Sequence, residues 1–269
     1  MKYAASNIGL SAYDHTAELY GVAEMGVAGL EVAPSRVWRD DWQGLTAAQV
    51  AAYRKAVEAA SLRVVGLHSL FFIHPELGLF KDAETRRQTM EFMVHLSGLC
   101  RDLGGRTLIY GGGRNRGSVP PEEADEIAVT FMAELCRRTS GHGTVFCFEP
   151  LGPKDSDYIN SVFDALAIVE RVNHPGLRMQ IDAKALVDNN ELAAATFAAA
   201  SPYLVHVHAN EPGLGVLGSS GAVDHGAIGA HLKDIDYKGY VSVEQRMLNE
   251  QNPLSDLAES VRVLKECYK

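Results

Sequence analysis

Eight short apolar runs, each followed by an amphipathic stretch, limit what this chain can fold into. The runs are Tyr3–Gly9, Gly29–Ala33, Val64–Phe72, Thr107–Tyr110, Val145–Glu149, Leu177–Ile181, Leu204–His208 and Tyr240–Glu244. Most are rich in Val, Ile, Leu, Phe and Tyr and border Gly or Pro, as buried strands do. Between them, helical spacing recurs over Thr46–Ser61, Ala83–Leu103, Pro121–Arg138, Ser161–Val172, Leu192–Ala200, Asp224–Ile235 and Leu254–Tyr268. Pro120-Pro121-Glu122-Glu123 opens one such helix, with proline in the first turn and carboxylates at the positive end of the dipole. Eight β–α units in 269 residues predict a closed (β/α)8 TIM barrel of the α/β class. A doubly wound sheet would place a GxGxxG turn after the first strand, and none is present. No linker or composition step divides residues 1–269, which read as a single domain.

Charge and cysteine usage exclude other classes. The chain carries 34 acidic and 25 basic residues, a formal charge of −9, which repels a phosphate backbone and argues against nucleic acid as partner. No apolar run approaches the ~18 residues of a membrane span. Met1–Gly9 lacks the apolar stretch of a secretory signal, so a cytoplasmic protein with no membrane partner is expected. Cys100, Cys136, Cys147 and Cys267 form no CxxC pair and read as buried, reduced thiols.

In a closed parallel barrel the chemistry gathers where the strands end, because the following loops converge there. Strand five ends in Phe148-Glu149-Pro150, strand six in Ile181-Asp182, strand seven in His206-Val207-His208-Ala209-Asn210-Glu211 and strand eight in Val243-Glu244-Gln245-Arg246. One carboxylate at a strand end is usually solvated. Four consecutive strands ending in carboxylate or imidazole share one rim, and converging carboxylates repel unless a cation neutralises them. Carboxylate oxygens with one imidazole suit a divalent ion such as Mn²⁺, Mg²⁺, Co²⁺ or Zn²⁺.

These stretches, together with Leu151–Asn160, resemble the xylose isomerase-like TIM-barrel superfamily. Within it they are most similar to the sugar phosphate isomerase/epimerase group that includes the ketose 3-epimerases. The resemblance covers nearly the whole chain. It implies one metal site, with Mn²⁺ the first choice, at Glu149, Asp182, His208 and Glu244, and an acid/base pair of Glu149 and Glu244. It also implies substrate contacts at Asp155, six residues past Glu149, and at Glu211, the acidic residue after the metal-binding histidine. Two departures stand out. Many relatives carry histidine three residues past the strand-six aspartate, where this chain has Ala185. Some ketose epimerases carry an arginine beyond the strand-seven motif, where this chain reads Pro212–Leu217.

Other rim residues carry two readings each. His68 could touch substrate or be a hydrogen-bonded core histidine. His206, two residues deeper than His208, reads as an interior-layer residue. Arg246 and Lys184 lie two residues past proposed ligands and would point inward, toward an anionic substrate or the carboxylates. Gly111–Gly117 brings Arg114 and Arg116 as candidate anion contacts, or is a loop with solvated charges. Glu31 could face the pocket or the barrel interior. Asp224 reads as the cap of the helix that begins near His225.

The function implied is a metal-dependent sugar isomerase or epimerase, with Glu149 and Glu244 moving a proton through an enediolate. A small sugar or sugar-like molecule is the expected partner, and a homo-oligomer is compatible with the sequence. The alternative is a metal-dependent dehydratase or lyase on a keto-cyclitol or shikimate-type acid, with Arg114, Arg116 or Arg246 holding its carboxylate. An abasic-site endonuclease is disfavoured by the missing extra histidines and the charge. A non-catalytic sugar-binding module would not need the metal quartet.

Overall fold

Every apolar run becomes a strand, and every strand lies parallel to its neighbours. The computed structural model describes residues 1–269. Its strands are β1 (Lys2–Ser6), β2 (Gly29–Val32), β3 (Arg63–Leu67), β4 (Thr107–Tyr110), β5 (Val145–Phe148), β6 (Leu177–Asp182), β7 (Leu204–Ala209) and β8 (Tyr240–Val243). They follow chain order around a closed barrel, sealed where Lys2 to Ala5 of β1 pair with Tyr240 to Val243 of β8. The chain therefore has the (β/α)8 TIM-barrel fold.

The helices are α1 (Glu18–Glu24), α2 (Ala47–Ala59), α3 (Ala83–Asp102), α4 (Pro121–Thr139), α5 (Val162–Val172), α6 (Ala183–Asp188), α7 (Ala194–Ala200), α8 (His225–Asp234) and α9 (Pro253–Cys267). Their starts follow local chemistry. Thr46 with Gln49 and Ser161 with Asp164 form reciprocal capping boxes at α2 and α5, and the Asp82 and Asp224 carboxylates cap α3 and α8. Two helices escape the sequence pattern. The seven-residue α1 has no capping side chain, and the six-residue α6 starts on the last residue of β6 with no loop between. None of the helices is long and apolar enough to cross a membrane.

The pleat sorts each strand into two faces. On β5, Phe146 and Phe148 join the large core between sheet and helices, while Val145 and Cys147 meet Ile109 in a small separate cluster. The third apolar run stops being a strand at Leu67, not Phe72, because the backbone turns through a left-handed Ser69 (φ 52°). Leu70 and Phe71 are still buried, which is why that run reads as apolar. All four cysteines are free; Cys267 is half-buried where a buried thiol was expected.

Candidate metal and active site

The strand ends bring four proposed metal ligands to one place. Glu149 and Glu244 lie one residue past β5 and β8, and each extends the ladder by one bond, to the carbonyls of Tyr110 (3.2 Å) and Ala209 (3.0 Å). Asp182 ends β6 and caps α6 by accepting from the Ala185 amide (2.8 Å), directly beside His208 in register on β7. Nδ1 of His208 is then 3.3 Å from Glu149, 3.4 Å from Glu244 and 3.9 Å from Asp182. Glu149, Asp182 and His208 form a group whose ligand atoms lie within 4.8 Å of one another; His68, His208 and Glu244 form a second.

Three residues whose sequence signal was weak hold this cluster. Gln180 donates from Nε2 to Glu149 Oε1 (2.5 Å), and the same nitrogen lies 3.0 Å from His208 Nδ1. Asn210 donates to Asp182 (2.6 Å) and Glu244 (2.9 Å), and its own oxygen accepts from the Lys184 amide. Glu31, from the far side of the barrel, accepts from His208 Nε2 (2.9 Å). That bond turns Nδ1 toward the carboxylates, the arrangement by which an outer carboxylate orients a metal-binding histidine. Gln180 and Asn210 lie two residues from proposed ligands on the same strand face, a spacing that could have marked them.

Charge is unbalanced here. Burial, then the neighbouring Glu149 and Glu244 charges, pushes the Asp182 carboxyl up to about 7. Burial works against Glu244 too, but the His208 charge, a bond from His68 and the Asn210 amide hold it down at about 2. Although burial opposes a charged imidazole, Glu31 and Glu244 raise His208 well above its ordinary value. No lysine or arginine bonds to this group of carboxylates. The donor set, hard oxygens with one imidazole and no lysine or arginine among them, fits a divalent metal.

One glycine makes room for Glu149. A Cβ on Gly111, just past β4, would lie 1.9 Å from Glu149 Oε2. His68 is buried beside the cluster, with Nδ1 3.3 Å from Glu244 and Nε2 2.6 Å from Ser6 Oγ. His206 is fully buried one layer down, 3.1 Å from Glu31.

Other expected contacts are spent elsewhere. Arg114 is buried, and its guanidinium donates to the carbonyls of Glu149, Tyr158 (2.5 Å) and Ile159 (3.2 Å). It braces the backbone under Glu149, where the sequence offered either an anion contact or a solvated loop charge. Burial lowers its pKa to about 10. Glu211 is fully buried, with its oxygens occupied by the Gly218 amide (2.7 Å), the Ser220 hydroxyl and His225 Nε2 (3.0 Å), so it fastens the loop after β7. Lys184 pairs with Asp155 and with Asp188 (2.7 Å), which keeps Asp155 at the outer rim. Arg116 donates to the Val119 carbonyl (2.8 Å), and Arg246 is exposed.

A model of the xylose isomerase-like TIM barrel matches residues 19–267. The chain belongs to this family. Among the similar proteins, an L-ribulose 3-epimerase from Methylomonas sp. (strain DH-1) is 29% identical over 118 residues, 44% of this chain and 41% of that one. The chain spans only about two-fifths of the length of the curated relatives it matches. Solved epimerase structures align along nearly the whole chain. D-psicose 3-epimerase from Clostridium cellulolyticum H10, with D-tagatose, gives a TM-score of 0.84 at 17% identity over 100% of both chains. A 3-keto-D-glucoside 4-epimerase from E. coli gives 0.79 at 19% identity over 99% of this chain and 100% of that one. At such identities these likenesses carry the fold.

Proposed function

We propose that this barrel is a divalent-metal-dependent sugar epimerase or isomerase that moves a proton at a carbon beside a carbonyl. The observation that carries the reading is the group of three carboxylates around His208 Nδ1, with no lysine or arginine bonded to them. Glu149, Asp182, His208 and Glu244 would hold the ion, and Mn²⁺ fits this donor set. When bound, such an ion supplies Lewis acidity toward a carbonyl and its neighbouring hydroxyl.

The protein's own groups do the rest. Glu149 and Glu244 stand on strands three places apart around the barrel and so flank a substrate between them. One takes the proton from carbon, leaving an enediolate, and the other returns a proton. Return to the opposite face of the same carbon gives the epimer; return to the neighbouring carbon exchanges aldose and ketose. Gln180 and Arg114 fix Glu149 at its side chain and backbone, and His68 and Asn210 fix Glu244. Relatives named as epimerases of ribulose, psicose and a 3-keto-glucoside support epimerisation. Dehydration of a keto-acid is the weaker reading, because the Arg114 guanidinium already donates to three backbone carbonyls.

The test is a mass-matched panel of ketoses, sugar phosphates and inososes, incubated in deuterated water with the Mn²⁺-loaded protein. Deuterium at one carbon of an isomer of otherwise unchanged connectivity is expected. Loss of water would move the assignment to a dehydratase, and no exchange with any panel member would overturn it.

A further inference from the structure

The opposite mouth of the barrel, where the strands begin, holds a cavity of about 600 Å³ that the proposed reaction does not use. Two irregularities in the sheet shape it. Val65 of β3 and Val205 of β7 are extra residues in the ladders with β2 and β6, and both line the cavity. Bulges of this kind re-aim side chains and bend the sheet.

The lining has the opposite charge to the chain. On a protein of net −9, it carries Lys2, Arg63, Arg106 and Lys238 against a single carboxylate, Asp236. Asp236 pairs with Lys238, while Arg63 and Arg106 make no ion pair and Lys2 only lies over the Tyr240 ring at 5.5 Å. At the inner wall, His206 is completely buried and its Nδ1 has no hydrogen-bond partner; the buried Thr107 hydroxyl has none either. Buried polar atoms without partners are rare, and they mark a place where a ligand or ordered water completes the bonding.

We propose that this mouth binds the phosphate group of a small phosphorylated molecule. Two unpaired guanidiniums offer forked donors suited to a tetrahedral oxyanion. The cavity falls within the ~300–1,000 Å³ of small-molecule sites and is larger than the ion needs, so an organic body accompanies the phosphate. Val65, Val205 and Tyr240 give that body an apolar and aromatic wall.

Calorimetric titration and thermal unfolding of the full chain, at constant ionic strength with chloride as control, test this with inorganic phosphate and fructose 6-phosphate as probes. Fructose 6-phosphate is expected to bind the more tightly and, at tenfold excess over Kd, to raise Tm by about 3 °C. Arg63→Ala and Arg106→Ala, both at exposed side chains, should each weaken binding at least tenfold without lowering the ligand-free Tm. Arg106→Lys, which keeps the charge and loses the fork, should fall between. Glu149→Gln should leave binding unchanged, because it alters the other end of the barrel. Absence of binding to both probes overturns the proposal, as does binding indifferent to both arginines. Loss of binding in Glu149→Gln would place the phosphate at the strand-end rim instead. Inorganic phosphate binding as tightly as fructose 6-phosphate would overturn the assignment to a phosphorylated molecule.

Discussion

Two buried carboxylate centres lie in this barrel's loops and strand ends, and they are balanced in opposite ways. Around Glu211, one carboxylate meets an amide, a hydroxyl and His225, which is itself 2.7 Å from the Tyr268 hydroxyl. Around His208, three carboxylates share one imidazole, Gln180, Asn210 and His68. The first centre is complete with its own donors and holds a loop. The second is short of positive charge and short of donors, a state that costs stability unless a cation enters. Residue type does not separate a structural acid from a functional one; the balance of its partners does.

The comparison breaks most visibly in turnover. Glu149→Gln and Glu244→Gln should each lower it by about 10²–10⁴, the loss expected for a general acid or base. Steady-state rates with the metal content measured in parallel check this, and near-normal rates with metal retained would sink the two-carboxylate mechanism. Glu211→Gln, at the complete centre, should leave turnover per folded molecule close to wild type.

Metal affinity sharpens the contrast. Glu31→Gln removes the carboxylate that orients His208 and should weaken Mn²⁺ binding about 10–100-fold, the usual cost of losing such a partner. Gly111→Ala should act in the same direction, because its methyl takes the place of Glu149 Oε2. Competition with a chelating dye reads both, and an unaltered affinity in Glu31→Gln would show that His208 needs no orienting partner.

Stability runs the other way. Glu211→Ala leaves buried donors unpaired and should cost about 1–3 kcal/mol in urea unfolding, with Mn²⁺ affinity unaffected. A variant as stable as wild type would mean that the loop after β7 does not depend on this centre.

The smallest effect is a pH slope in the metal-free protein. Asp182, lifted to about 7 by burial and by Glu149 and Glu244, stays protonated in the folded chain. An unfolded aspartate ionises near about 3.9, so between about pH 4 and 7 the unfolded state binds fewer protons and stability falls as pH rises, by at most about 1.4 kcal/mol per unit. Asp182→Asn should remove that contribution, and Mn²⁺ should stabilise the wild type most at the upper end of the window. Parallel wild-type and Asp182→Asn melting curves with the same pH slope would contradict the crowding of charge described here.

Much of this was legible in advance because it is periodic or local. The apolar runs between amphipathic stretches specify strands alternating with helices, and eight such units close a barrel. The polar residue that follows each apolar run must then face the rim, since parallel strands all end on one side. That reasoning brings Glu149, Asp182, the His206–Glu211 stretch and Glu244 to one rim without any knowledge of distance, and the family resemblance then singles out His208 as the ligand from β7. Asp224 at the start of α8 is equally local, its carboxylate accepting from the Ala227 amide three residues on.

What tertiary structure alone decided is which polar groups are already satisfied. Glu31 lies 177 residues from His208 in sequence and 2.9 Å from it in space, because strands β2 and β7 face each other across the barrel interior. Arg114, read as an anion contact, is consumed by carbonyls 35 to 45 residues away, and Glu211 by donors on its own loop and the helix that follows. The basic mouth gathers Lys2, Arg63, Arg106 and Lys238 from separate strand beginnings, a grouping invisible in a chain whose total charge is negative. A side chain's period places it on a face, but only barrel closure brings strands distant in sequence together, and that closure determines whether a buried charge meets a partner.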